Sequence, residues 1–214
     1  MQINIDKKTG IFISIIAGLL IIIMAMGMSG RSDNGFFGMH RGGSSWFGMG
    51  GEMMDENRKD GAGNLSGADI MFLQMMIPHH QQAVDISELA LTKSSDPELL
   101  ALAQNIKDGQ AGEIITMKAW LSGAGADADM GHSMGDSMGG MLGDSELAAL
   151  KAASGKSFDL LWLAGMTGHH DGALHMTTMI ADARNKDIKK FGEAIVTLQS
   201  AQIKQMAAMI KRLS

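Results

Sequence analysis

The chain has 214 residues, 45% of them hydrophobic and 19% charged, with only 2 Pro; this excludes a wholly disordered chain and suits one medium domain with attachments. Cys is absent, which excludes disulfides, thiolate metal sites, iron–sulfur clusters and a cysteine nucleophile. A net charge of -5, from 18 basic and 23 acidic residues, argues against nucleic acid as a partner, because nucleic-acid binders carry a basic footprint. The unusual count is Met 21 against Tyr 0, more thioether than gap-filling in one small core needs.

Residues 1–10 form a short segment containing Lys7 and Lys8. Residues 11–28 then carry no charge and only Ser14 as a clearly polar group. As a helix this run would rise roughly 27 Å, close to the roughly 30 Å of a bilayer's hydrocarbon core. It reads as a single transmembrane anchor. The basic flank is expected in the cytoplasm, and the rest of the chain on the periplasmic or extracellular side of the cytoplasmic membrane. A cleaved signal peptide is the competing reading, with Ala25 and Gly27 as small residues around a cut. Both readings export the remainder. A soluble helix this apolar would need burial on every side.

Residues 29–64 read as a linker: dense in Gly, without helical or strand period, and bearing Met39, His40, Met49, Met53 and Met54. The texture changes at residues 65–214. Ser66 and Asp69 permit a capping box, although Asp is shorter than the usual Glu, and a helix is expected over 69–92. Asp96 can cap the next helix and Pro97 suits its first turn. That helix runs to about Leu121, with Ile106, Gln110, Glu113, Met117 and Trp120 on one face. Residues 122–143, rich in Gly, Met and His, break the pattern. A third helix is expected over 144–183, with an interruption around Ser154 and Gly155, and a fourth over 187–213. No segment alternates as a strand would.

An internal repeat organises these helices. M-I-P-H-H-Q-Q-A-V begins at Met76, and M-T-G-H-H-D-G-A-L begins at Met166, 90 residues later. The partner helices correspond too: Ile106, Gln110, Glu113 and Met117 match Ile195, Gln199, Gln202 and Met206 at an offset of 89. One helical hairpin cannot bury its apolar face alone. The expected fold is therefore all-α: a four-helix bundle built from two repeated hairpins, with 122–143 as the crossover and the transmembrane helix in front.

The seven His residues are placed suggestively. Met75 and His79 are four apart, as are Met76 and His80. Met166 precedes His169 by three and His170 by four, and His175 precedes Met179 by four. Such spacings stack imidazole and thioether on one helix face, whereas adjacent His side chains point about 100° apart. Pro78 and Gly168 stand at the same repeat position before each His pair; Pro78 removes the hydrogen bond to the Gln74 carbonyl. Imidazole suits several transition metals and thioether favours Cu(I), with Ag(I) similar in softness. The candidate ligands are Met76, His79, His80, Met166, His169, His170, His175 and Met179 in the bundle, and Met130, His132, Met134 and Met138 in the crossover. Met also packs well, and Met71, Met117, Met206 and Met209 read as core.

Familiar enzyme signals are missing. There is no E-x-x-H pair as a ferritin-type di-iron site requires, no H-E-x-x-H, no G-x-G-x-x-G and no P-loop. Asp85 and Glu113 are candidate buried acids, but no second acid–base partner fixes a reaction.

The motifs F-L-Q-M-M-I-P-H-H-Q-Q-A-V from Phe72, Q-A-G-E-I-I-T-M-K-A-W-L from Gln110 and W-L-A-G-M-T-G-H-H-D-G-A-L-H-M from Trp162 carry a family resemblance. Over residues 65–214 the chain resembles the domain-of-unknown-function 305 family. The resemblance implies a ferritin-like four-helix bundle. Through the family's exported copper-binding members it also implies His and Met ligands, here Met76, His79 and His80 in the first motif and Met166, His169 and His170 in the second. The long Gly/Met-rich crossover departs from a minimal bundle and adds a second capture region.

The expected function is membrane-anchored binding of copper as Cu(I), or of Ag(I), outside the cytoplasm, for tolerance, storage or delivery to an exported copper-handling protein. It is not expected to be an enzyme. A structural or protein-interaction bundle with a Met-rich core and a metal-dependent redox enzyme stay open as alternatives.

Overall fold

Ser66 starts the first helix by a reciprocal exchange. Its hydroxyl accepts from the Asp69 backbone N–H at 3.2 Å, and the Asp69 carboxylate accepts from the Ser66 N–H at 2.8 Å. The shorter Asp thus closes a full capping box. The computed structural model describes residues 64–129 and 138–214. The expected N-terminal segment, anchor and linker, and Met130, His132 and Met134, lie outside the described residues.

Helix α1 spans Gly67–Lys93 and α2 spans Pro97–Gly123. The Asp96 side chain caps α2 by accepting from the Glu98 and Leu99 N–H groups, with Pro97 in the first turn. After a 3-10 turn, Met138–Gly140, come α3 (Asp144–Ala152), α4 (Gly155–Met176), a second 3-10 turn (Thr177–Ile180) and α5 (Lys186–Leu213). Among the described residues the regular secondary structure is all helical, with no strand. None of their helices is long and apolar enough to cross a membrane.

The interruption expected around Ser154 and Gly155 divides the third helix in two. Ala153 is extended and Gly155 takes a φ of 54°, a conformation that suits glycine. Lys93 secures the break, its ammonium donating to the Lys151 and Ala153 carbonyls at the end of α3. The helix also tightens early, at Thr177. There the Thr177 and Thr178 hydroxyls bond back to the Leu174 and His175 carbonyls, an alternative to regular helix pairing.

α1 pairs antiparallel with α2 and α4 with α5, and the hairpins meet along α1 and α4. Burial repeats with the sequence. Asp69, Phe72, Leu73, Met76, His79, His80, Ala83, Ile86, Ser87 and Ala90 are buried, and so is the residue 90 positions after each. The apolar core divides into two clusters. One gathers Leu99, Ile106, Trp162, Met166 and Met206, and the other Phe72, Met76, Met117, Ile188 and Ile195. Between them the inward positions are polar: His79, His80, Gln110, Glu113, His169, His170, Gln199 and Gln202.

The end of the crossover lies across this middle zone as a strap. Gln82 grips it, donating from Nε2 to the Leu142 carbonyl at 2.9 Å and accepting the Leu142 N–H at 2.8 Å. Gly139 and Gly140, at φ of 66° and 76°, press onto α4. A Cβ at Gly172 would stand 1.5 Å from the Gly139 oxygen, and one at Gly140 would stand 2.3 Å from the Gly168 oxygen. Gly172→Ala is therefore expected to displace the strap and destabilise the protein by about 1–3 kcal/mol. Gly109→Ala, mid-helix with nothing within 4 Å of its new Cβ, should instead stabilise it by about 0.5–1 kcal/mol. Thermal unfolding of the two variants beside the wild type reads both signs.

Candidate metal site

The two His pairs face inward from equivalent turns of α1 and α4. His79 is 1% exposed, and His80, His169 and His170 are 0% exposed. α1 passes through Pro78 without interruption. Rings of His79 and His169 pack with centroids 3.7 Å apart and planes tilted by 36°. These residues occupy the same position of the repeat, so the axis relating the hairpins passes between them.

Every one of the four imidazoles is tethered through Nε2. His79 bonds the Gly139 carbonyl at 2.8 Å and His169 bonds the His79 carbonyl at 3.0 Å. His80 bonds Glu113 Oε2 at 2.6 Å, and His170 bonds Gln202 Oε1 at 2.7 Å. All four partners are oxygens that accept, so each Nε2 carries the proton and donates. The four Nδ1 atoms are buried and have no hydrogen-bond partner. In a neutral ring held this way, Nδ1 carries the lone pair. Histidines that ligate metals are commonly arranged this way, one nitrogen donating to an oxygen and the other left for the ion.

Electrostatics keeps these lone pairs free. Burial pushes the His79 imidazole down to about 3, with the neighbouring His80 adding to the effect and the Gly139 hydrogen bond opposing it. Burial holds His169 well below the usual histidine range, reinforced by His79 and His170. His170 is lowered to about 4, again chiefly by burial, against the opposing bond to Gln202. At neutral pH these three rings are neutral and able to ligate.

The remaining predicted ligands fall elsewhere. Met76 and Met166 are fully buried but belong to different apolar clusters, one on each side of the polar zone. Each stands one turn before His80 or His170 on the same helix face. His175 is exposed, and Met179 is half-buried against the cluster of Phe72 and Ile195, so this pair sits apart from the four inward rings. Among the described residues, no three His, Asp or Glu side chains are grouped to share an ion. Two features were not singled out from sequence, the Gly139 carbonyl and the Gln82 clip. Neither carries a signal, because one is backbone and the other a common polar side chain.

The sequence signature of the family described as Domain of unknown function (DUF305) matches residues 69–210. The chain belongs to the DUF305 family. It is similar to the solved DUF305 fragment from Deinococcus radiodurans, with 28% identity and a TM-score of 0.64, covering 69% of this chain and 97% of that one. It is also similar to CopM in its Cu(II)-bound form, with 35% identity and a TM-score of 0.60, over 68% of this chain and 97% of CopM. The Cu(I)-bound form of CopM matches at 32% identity and a TM-score of 0.58, over 70% and 98% of the two chains, and CopM has also been solved with Ag. No curated protein shows significant similarity to the chain.

Without metal, the lowered imidazoles make folding pH-dependent. Their folded pKa values lie below the unfolded value of 6.5, so below that pH the unfolded chain binds more protons. Stability should be full above about pH 6.5 and fall as the pH drops toward 3, by up to about 1.4 kcal/mol per pH unit for each imidazole. Urea unfolding of the metal-free chain at pH 7 and at pH 4.5 checks this. An unchanged midpoint would contradict the burial of neutral rings.

Proposed function

We propose that this DUF305 protein binds Cu(I) or Ag(I) as cargo through the Nδ1 atoms of His79, His80, His169 and His170. It does so outside the cytoplasm, with residues 11–28 holding it to the cytoplasmic membrane. The observation that carries the reading is the set of four buried, unpartnered Nδ1 lone pairs. Leaving a buried polar atom unpaired costs about 1–3 kcal/mol, and an ion that ligates them offsets that cost. Structural zinc wants four ligands in a tetrahedron, whereas soft monovalent ions accept as few as two in a line. The likeness to CopM, solved with Cu(I), Cu(II) and Ag, supports copper or silver as the ion. Met76 and Met166, one turn before His80 and His170 on their helices, are the candidate thioether ligands.

In this reading the protein is a carrier or store rather than an enzyme, serving tolerance or delivery to an exported copper-handling partner. The crossover adds a second, weaker site at Met130, His132, Met134 and Met138, weaker because ordering a loop costs about 1–2 kcal/mol per fixed residue. A structural bundle is the second reading, favoured by the burial of Met76, Met117, Met166 and Met206 within apolar clusters.

Anaerobic Cu(I) titration of the full chain separates these. Joint His79→Ala, His80→Ala, His169→Ala and His170→Ala replacement should weaken the tighter site at least tenfold. Changing Met130, Met134 and Met138 to Leu and His132 to Ala should remove only the weaker site. No binding by the wild type would leave the structural bundle as the answer.

A further inference from the structure

We propose that Glu113 sets the charge of the ion the central zone accepts, fitting it to a monovalent rather than a divalent cation. This rests on the reading of that zone as a metal site. The two hairpins supply a natural comparison. His80 and His170 are equivalent, 90 residues apart, and their Nε2 partners are equivalent too. Glu113 Oε2 stands 2.6 Å from His80, and Gln202 Oε1 stands 2.7 Å from His170. The side chains are isosteric, and each holds its ring with an accepting oxygen. Orientation is therefore achieved without a carboxylate at Gln202. What Glu113 adds at the same place is a negative charge.

No second negative charge stands beside it in the zone. The inward groups of the zone are Gln110 on the same helix as Glu113, His79 and His80 on α1, His169 and His170 on α4, and Gln199 and Gln202 on α5, and amides, imidazoles and thioethers bring no negative charge. The other buried acids, Asp69 and Asp159, stand 11 residues before His80 and His170, roughly 16 Å away along the helices. Asp85 and Asp171 are exposed. With no Cys in the chain, no thiolate adds to the count. One carboxylate and one monovalent ion leave the buried zone neutral. A divalent ion would leave an uncompensated charge where water is excluded, and interiors tolerate that poorly.

The test is titration of the full chain with Ag(I) and, separately, Zn(II), comparing wild type, Glu113→Gln and Gln202→Glu, with circular dichroism to verify the fold. Wild type should prefer Ag(I). Glu113→Gln, which keeps shape and hydrogen-bond capacity, should weaken Ag(I) binding at least tenfold, the scale of losing a partner to a ligating histidine. Gln202→Glu, with a second carboxylate, should raise the affinity for Zn(II) relative to Ag(I) at least tenfold. A folded Gln202→Glu variant with an unchanged ratio overturns the proposal while leaving metal binding intact. Should that variant fail to fold, Glu113→Gln decides, and an undiminished Ag(I) affinity overturns it. Wild type binding neither ion overturns this inference together with the metal reading.

Discussion

A buried polar zone between two apolar clusters is the constraint around which the bundle is arranged. Imidazoles, amides and a carboxylate in the middle of a helical core are costly unless paired. Each of the four rings therefore spends one nitrogen on an accepting oxygen drawn from a different source: a strap carbonyl, a helix carbonyl, a carboxylate and a side-chain amide. The rings are fixed in orientation and tautomer by those bonds. The apolar clusters on either side supply the stability that lets such a zone persist, and they exclude the water that would otherwise occupy it. Trp162 ties the two hairpins across the core, its indole N–H donating to the Ile86 carbonyl at 3.0 Å.

Pairing extends unevenly through the zone. Gln110 has neither end of its buried amide hydrogen-bonded, and Gln199 has an unpartnered oxygen. Native cores rarely leave buried polar groups so. These amides occupy equivalent positions of the repeat, one turn from Glu113 and Gln202, so the deficit is a property of the duplicated design rather than of one site. It coincides with the four open Nδ1 atoms. Apart from Ser87 and Asp159, the unpartnered buried side-chain atoms among the described residues all lie in this zone.

Most of the fold was legible because it rests on local signals. Ser66 with Asp69, and Asp96 with Pro97, act within a few residues, and both caps form as their spacing implies. The repeat extended that legibility to tertiary structure, since residues at one offset share both identity and burial. The break at Ala153 and Gly155 was visible as a weak point, but its depth depended on Lys93, which comes from another helix. The inward aim of both His pairs followed from helical periodicity. The contact of His79 with His169 did not, because it depends on how two hairpins cross. Sequence spacing also could not reveal that Met76 and Met166 enter separate clusters, as the antiparallel packing sends the turn before each His pair toward opposite ends of the bundle.

The strap has a consequence for how such a chain can be built. Position 82 must be a side chain long enough to grip Leu142, and its counterpart 172 must have none, because the Gly139 backbone occupies that space. One hairpin sequence cannot meet both demands. Two identical hairpins meeting as separate molecules would offer either a pair of grips with no room for the crossover or a pair of empty grooves with nothing to hold it. In a single chain the two halves can differ at this position, as Gln82 and Gly172 do. The strap, seated on one side only, gives His79 and His169, equivalent within the repeat, different hydrogen-bond partners.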